Sequence, residues 1–309
     1  MSPRLGVLHR KELDTISAFE NDVQLQLDYL EKFVPQKQTQ KSAMFCGSGD
    51  SLCAAMLAEA FSNYNAKSCD PLELAKNPKM ALGKSVYFVS ISGNTISNIK
   101  AAQQVRSGIS ITRNPKSKLA HTCKNIIPLD YADSGILTAG TVGFLSSALT
   151  CISLVYDLKI SGVKNLYESA KKNSGKVVMH NKVYFLGNQH TFPIAMYASA
   201  KLGEVLGMDS KYERIEQFSH MGLFTAKKGD TVIILEPKNK HNSSLKSNLK
   251  KLGLDVYVFD GPRDKTKQVL FYTFLVQFLA LGLARKINLD DCYFIVQKKT
   301  RAASSDMIY

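Results

Sequence analysis

The sequence has little of what disulfide scaffolds, metal centres and secreted chains require. Of its 309 residues six are cysteines, and Cys46, Cys53, Cys69, Cys123, Cys151 and Cys292 form no CxxC pair and no ligand-like spacing with histidine. Neither a disulfide framework nor a zinc site is expected, and the cysteine usage fits a reducing compartment. The first residues, MSPRLGVLHRKELD, hold no apolar signal block. The longest apolar stretch, Val269 to Ala284, is interrupted by Gln277 and falls short of the ~20 residues of a membrane span, so it reads as a buried helix. A cytoplasmic chain with no membrane partner is expected. Acid is scarce beside base: 26 Asp and Glu against 40 Lys and Arg leave a formal charge of +14. That surplus favours anionic partners. The basic residues are spread along the chain and no nucleic-acid motif appears, so no nucleic-acid partner is expected. A phosphorylated metabolite needs only a few of these charges.

What is present suffices for a large core. With 45% hydrophobic and 21% charged residues, the chain suits two domains of about 150 residues. Residues 9 to 34 read as a helix, with Phe19, Val23, Leu27, Leu30 and Phe33 at three- and four-residue spacing. A strand follows from Ala43 to Cys46, then the turn Gly47-Ser48-Gly49 and a helix to about Ser62. This GxG lacks the third glycine of a dinucleotide fingerprint, where Leu52 stands. A nucleotide-binding oxidoreductase is thereby disfavoured, and the glycines imply close approach of a ligand or another loop.

The central stretch is Ser85 to Thr95, SVYFVSISGNT. Val86 to Val89 have the pattern of a strand buried on both faces. They run into Ser90, Ser92, Gly93, Asn94 and Thr95 and then into an amphipathic helix. Strand, hydroxyl-rich turn and helix start together make an anion site, because free first-turn N–H groups, the helix dipole and the hydroxyls all favour negative charge. Ser and Thr also cap helices in the ordinary way. Three hydroxyls around Gly93 favour a phosphate. Further strands at Ile109 to Thr112 and Asn125 to Leu129, and an apolar helix within Thr138 to Leu158, complete an alternation that means a parallel sheet covered on both faces. Ligands of such sheets sit at the carboxyl ends of the strands.

After Lys159 the polar stretch SGVKNLYESAKKNSGK marks a boundary, giving domains 1–160 and 161–309. The order of elements then repeats: KVYFLGNQHTF echoes AMFCGSGDSLC about 140 positions earlier, TVIILEP echoes SVYFVSI, DVYVFDGP echoes ISITRNP, and the helix 268 to 284 echoes 142 to 158. Glu236-Pro237-Lys238-Asn239 replaces the hydroxyl turn in the second copy. One half is expected to hold phosphate and the other to supply different chemistry.

These residues resemble the sugar isomerase (SIS) domains, most closely the isomerase half of glucosamine-6-phosphate synthase and the archaeal phosphoglucose/phosphomannose isomerases. The resemblance implies two tandem flavodoxin-like α/β domains and a homodimer whose active site borrows partner residues. It implies a phosphate held by Ser90, Ser92 and Thr95, with Ser48 and the backbone of Gly47 and Gly49 nearby. Lys201-Leu202-Gly203-Glu204 matches the segment that supplies the family's proton-moving glutamate, and His220, sixteen residues later, stands where a histidine opens the sugar ring. A lysine near the C-terminus completes the family site, and Lys298 or Lys299 is placed comparably. Ile91 departs from the polar residue common between the serines, and EQFSHMG matches loosely, so Glu216 could orient His220. With no glutaminase segment in the sequence, glutamine-fed aminotransfer by this chain alone is not expected.

The expected reaction is aldose–ketose isomerisation of a hexose or aminohexose 6-phosphate, without metal or cofactor. A carboxylate in a partly apolar pocket suits the C–H proton transfer, because burial raises its pKa. Glu204 is the candidate, although a Glu three residues from Lys201 also fits a surface pair. A histidine side chain suits proton transfer to the ring oxygen as the sugar opens, and His220 is the candidate. Lys201, Lys298 or Lys299 would stabilise enediolate charge. His190, after Asn188-Gln189, reads as a loop residue. The rivals are a glucosamine-6-phosphate deaminase of the same fold and a non-catalytic phosphosugar-binding protein.

Overall fold

The computed structural model describes residues 14–39, 42–105 and 107–308. Strands β1 (Ala43–Cys46), β2 (Lys67–Cys69), β3 (Ser85–Val89), β4 (Ile109–Thr112) and β5 (Asn125–Pro128) form a parallel sheet in the order β2-β1-β3-β4-β5. Strands β6 (Val183–Gly187), β7 (Ser210–Arg214), β8 (Thr231–Pro237) and β9 (Asp255–Phe259) form a second parallel sheet in the order β7-β6-β8-β9. The second order repeats the first four strands of the other sheet, as the internal echo implies.

Alternation along each strand explains the layers, since successive side chains point to opposite faces. Phe45, Tyr87, Val89 and Ile111 of the first sheet, and Val183, Phe185, Ile233 and Leu235 of the second, enter one continuous core. Met44, Cys46, Val86 and Phe88 face a separate outer core with Leu74, Ala101 and Leu119. Tyr184, Leu186, Val232, Ile234 and Val256 do the same on the second sheet, with Ile215, Phe218 and Leu249. Helices therefore cover both faces of both sheets, and the middle helical layer is shared.

That middle layer contains Asp50–Phe61, Val142–Ser153, Phe192–Leu206 and Lys265–Lys286. Lys265–Lys286 has 22 residues, so its helix outruns the apolar stretch and is long and apolar enough to cross a membrane by composition. It is nonetheless a core helix, with 83% of its apolar window buried inside the protein. The N-terminal helix runs Thr15–Lys32, shorter than 9 to 34; positions 9–13 lie outside the described residues. The apolar helix of the first half begins only at Val142, and Thr138 to Thr141 before it are loop. Strands β2 and β7 are additions to the sequence reading.

Candidate active site

Three helix starts converge on one cavity of about 910 Å³ at the carboxyl edge of the first sheet. Gly49 precedes Asp50–Phe61, Thr95 precedes Ile96–Gln103 and Thr141 precedes Val142–Ser153; all three line the cavity, and none caps its own helix through a side chain. Elsewhere this chain does cap, as Asp70, Ser117, Asn239 and Asp264 show. First-turn N–H groups left without side-chain acceptors in a cleft suit an anion from outside. Thr141 is 2% exposed and its hydroxyl has no hydrogen-bond partner among the described residues.

The hydroxyl turn opens onto this cavity. Ser90, at 4% exposure, accepts a hydrogen bond from Gly93 N at 3.1 Å, and its hydroxyl lies 3.3 Å from that of Thr95. Ser92 accepts from Asn94 N. Gly93 has φ +65°, and a Cβ there would stand 2.0 Å from Ser117 Oγ, so both conformation and space demand glycine. Ser90, Ser92 and Thr95 line the cavity together with Ser48 and Gly49. Gly47 does not line it: its N–H donates to Cys69 O, and a Cβ would strike Ser51. Its role is close packing of strand end against helix.

Glu204 and Lys201 lie behind this cavity and do not line it. Lys201, fully buried, donates to Asp50 Oδ2 at 2.8 Å and to Glu204 Oε2 at 2.5 Å. Gly140 lies between this cluster and the cavity, because a Cβ on it would sit 2.5 Å from Asp50 Oδ2 and 3.7 Å from Lys201 Nζ. Tyr197 donates to Gly140 O at 2.6 Å and receives Gln277 Nε2 at 2.9 Å. Burial pulls the Lys201 pKa down, but the carboxylates of Asp50 and Glu204 more than offset it, leaving a net rise. Burial pushes the Glu204 carboxyl up; Lys201 opposes this, Asp50 adds to it, and the net direction is up. The ion pair expected for a surface glutamate thus exists, with a buried lysine as its other member.

His220 ends the short helix Ile215–His220, is 68% exposed and bonds Glu216 at 3.0 Å. It is not among the residues lining the cavity of its own chain. Lys298 and Lys299 begin the helix Lys298–Ile308 and are exposed; that helix meets the cavity through Met307 instead.

Several cavity residues escaped the sequence reading. Arg113, just after β4, pairs with Asp133 and lies 4.6 Å above the Tyr131 ring, and Lys100 supplies a second cation to the wall. Asp22, 5% exposed on the N-terminal helix, accepts from Ser134 N at 2.6 Å; burial pushes its carboxyl up more than that bond holds it down. The only signal for Arg113 was its place after a parallel strand.

No family model matches the chain, and no curated protein matches it. Solved structures do. Glucosamine-6-phosphate deaminase from Thermotoga maritima is similar at 18% identity and TM-score 0.73, over 89% of this chain and 95% of that one. The C-terminal domain of glucosamine-fructose-6-phosphate aminotransferase from Francisella tularensis is similar at 14% identity and TM-score 0.69, over 91% and 98%. Tagatose-6-phosphate ketose/aldose isomerase from Escherichia coli is similar at 14% identity and TM-score 0.66, over 89% and 90%. The fold is therefore that of SIS-type proteins.

Proposed function

We propose that the protein is a sugar-phosphate isomerase that interconverts an aldose and a ketose 6-phosphate. The observation that carries this reading is the convergence of three uncapped helix starts and the Ser90, Ser92 and Thr95 hydroxyls on one cavity. A phosphate seated there holds the sugar by its far end and leaves the reacting carbons free to reach a base. Glu204 has a raised pKa that suits it to that task. It would take the proton from C2 of the open aldose, the electrons would pass into an enediolate, the hydroxyl proton would pass from O2 to O1, and the carbon proton would return at C1 to give the ketose. Lys201, held between Glu204 and Asp50, would balance charge beside the base. The exposed His220 would open the ring in the site of a second copy, which makes a homodimer the working form.

The direct test is solvent exchange. Fructose 6-phosphate incubated in deuterium oxide gains deuterium at carbon with the wild type, and Glu204→Gln abolishes the gain while phosphosugar binding persists. Glu204 lies outside the residues that line the cavity, and this favours one second reading, a phosphosugar-binding protein without catalysis. Binding with no exchange in the wild type would select it. Release of ammonia from glucosamine 6-phosphate would select the deaminase, a member of the same fold.

A further inference from the structure

The second sheet has its own crevice at the point where strand order reverses. The chain runs from β6 outward to β7 and back across to β8, the position where open parallel sheets receive ligands. A cavity of about 250 Å³ lies there, with Asn188, Gln189, His190, Thr191, Glu236 and Gln268 among its lining residues. Gln189 is held at φ +47°, a left-handed conformation rare away from glycine and concentrated at sites of function.

Asn188, Thr191 and Gln268 each turn a side-chain donor onto a protein acceptor. Asn188 Nδ2 donates to Glu236 Oε1 at 2.9 Å, and Asn242 Nδ2 donates to Glu236 Oε2 at 3.2 Å. Thr191 gives its hydroxyl proton to Asn188 O. Gln268 donates through Nε2 to Arg263 O, so its Oε1 is the acceptor facing His190 Nε2 at 2.8 Å. His190 must therefore be protonated on Nε2, which leaves Nδ1 a bare acceptor with no partner among the described residues. Burial lowers the His190 pKa, which favours the neutral ring that keeps that lone pair. Each Glu236 oxygen also has acceptor capacity beyond its one amide bond. Among the described residues no cationic side chain lines the crevice.

A crevice with a carboxylate, an imidazole acceptor and no cationic side chain among the described residues disfavours phosphate and suits a compact group made of donors. We infer that the crevice between the ends of β6 and β8 binds a small primary ammonium group, held by Glu236 and His190. The chemistry is shared by a free amine and by the amino group of an amino sugar. This inference stands independently of the isomerase reading, because it uses none of the residues of the first cavity.

The test uses the full chain labelled with ¹³C-histidine, the His190 resonance being assigned by its loss in His190→Gln. Methylammonium chloride is expected to shift that resonance saturably, while potassium chloride and tetramethylammonium chloride do not, since the latter has charge but no N–H. Glu236→Gln, which can still accept from Asn188, should weaken the methylammonium response by about tenfold. Saturating fructose 6-phosphate should leave the response unchanged. Displacement of methylammonium by glucosamine but not by glucose would identify an amino sugar as the carrier; failure of glucosamine to displace it would identify a free amine. Absence of a saturable methylammonium shift in the wild type, an equal shift with tetramethylammonium, or an undiminished response in Glu236→Gln would overturn the assignment.

Discussion

Lys201 and Asp50, 151 positions apart in the sequence, meet at 2.8 Å and join the catalytic candidates of one half to a helix that starts in the cavity wall of the other. Asp50 is the first residue of the helix that starts at Gly49 in the cavity wall. Lys201 carries Glu204 on its other side. Removing the lysine strands two carboxylates around an empty hole. Lys201→Met is therefore expected to cost about 3 kcal/mol or more, the range for breaking a buried pair by deleting one partner. A lower urea midpoint at unchanged slope would confirm it, and an unchanged midpoint would refute the bridge.

Ser90 is the hydroxyl most tightly built into the turn, touching both Gly93 N and Thr95 Oγ1. Ser90→Ala should weaken binding of fructose 6-phosphate by roughly ten- to a hundredfold, the worth of one hydrogen bond to a charged group. Binding of the unphosphorylated sugar should not change. Calorimetry on the two ligands separates a lost phosphate contact from a general loss of shape.

Much of this geometry was legible beforehand because it is local. Strand, glycine and hydroxyl turn are contiguous at Val86 to Thr95, and a buried parallel strand announces itself by an unbroken apolar run. The edge strands β2, KSC, and β7, SKYER, were missed because each pairs on one side only and carries polar residues. Lys201 is a sharper case. A lysine is almost always exposed, and the carboxylates of Glu204 and of Asp50, the latter brought close by the shared middle layer, explain why this one is not. Arg113 and Asp22 likewise reach the cavity from segments with no common motif. His190, read as a loop residue, is buried against Gln268 and Phe61.

Asp22 gives a pH dependence with a defined sign. Its folded pKa is raised above the ordinary 3.8, with burial as the first cause. The folded state thus binds this proton more tightly than the unfolded chain does. The associated stability is complete below the unfolded value and is lost as pH rises through the raised folded value. Asp22→Asn keeps an acceptor for Ser134 N and removes the titration. The difference in unfolding free energy between wild type and variant should therefore move against the wild type as pH climbs from below 3.8 toward neutrality. A difference that is flat across that window would mean the carboxyl is not held in its buried setting.

The exposure of His220 and the half-buried setting of Glu204 lead to a test of shared sites. If each site takes Glu204 from one copy and His220 from the other, then Glu204→Gln and His220→Ala are each inactive alone. Dissociated, mixed and reassociated in equal amounts, half the dimers pair one variant with the other. In each such dimer one site collects both lesions and the second has neither. The mixture should then regain roughly a quarter of wild-type activity, as an isologous two-fold interface requires. Activity that stays at the level of the separate variants would place His220 and Glu204 in the same copy's site or remove one of them from the chemistry. The single-chain geometry argues for the first outcome, since among the described residues His220 bonds Glu216 alone and is not one of those that line its own chain's cavity.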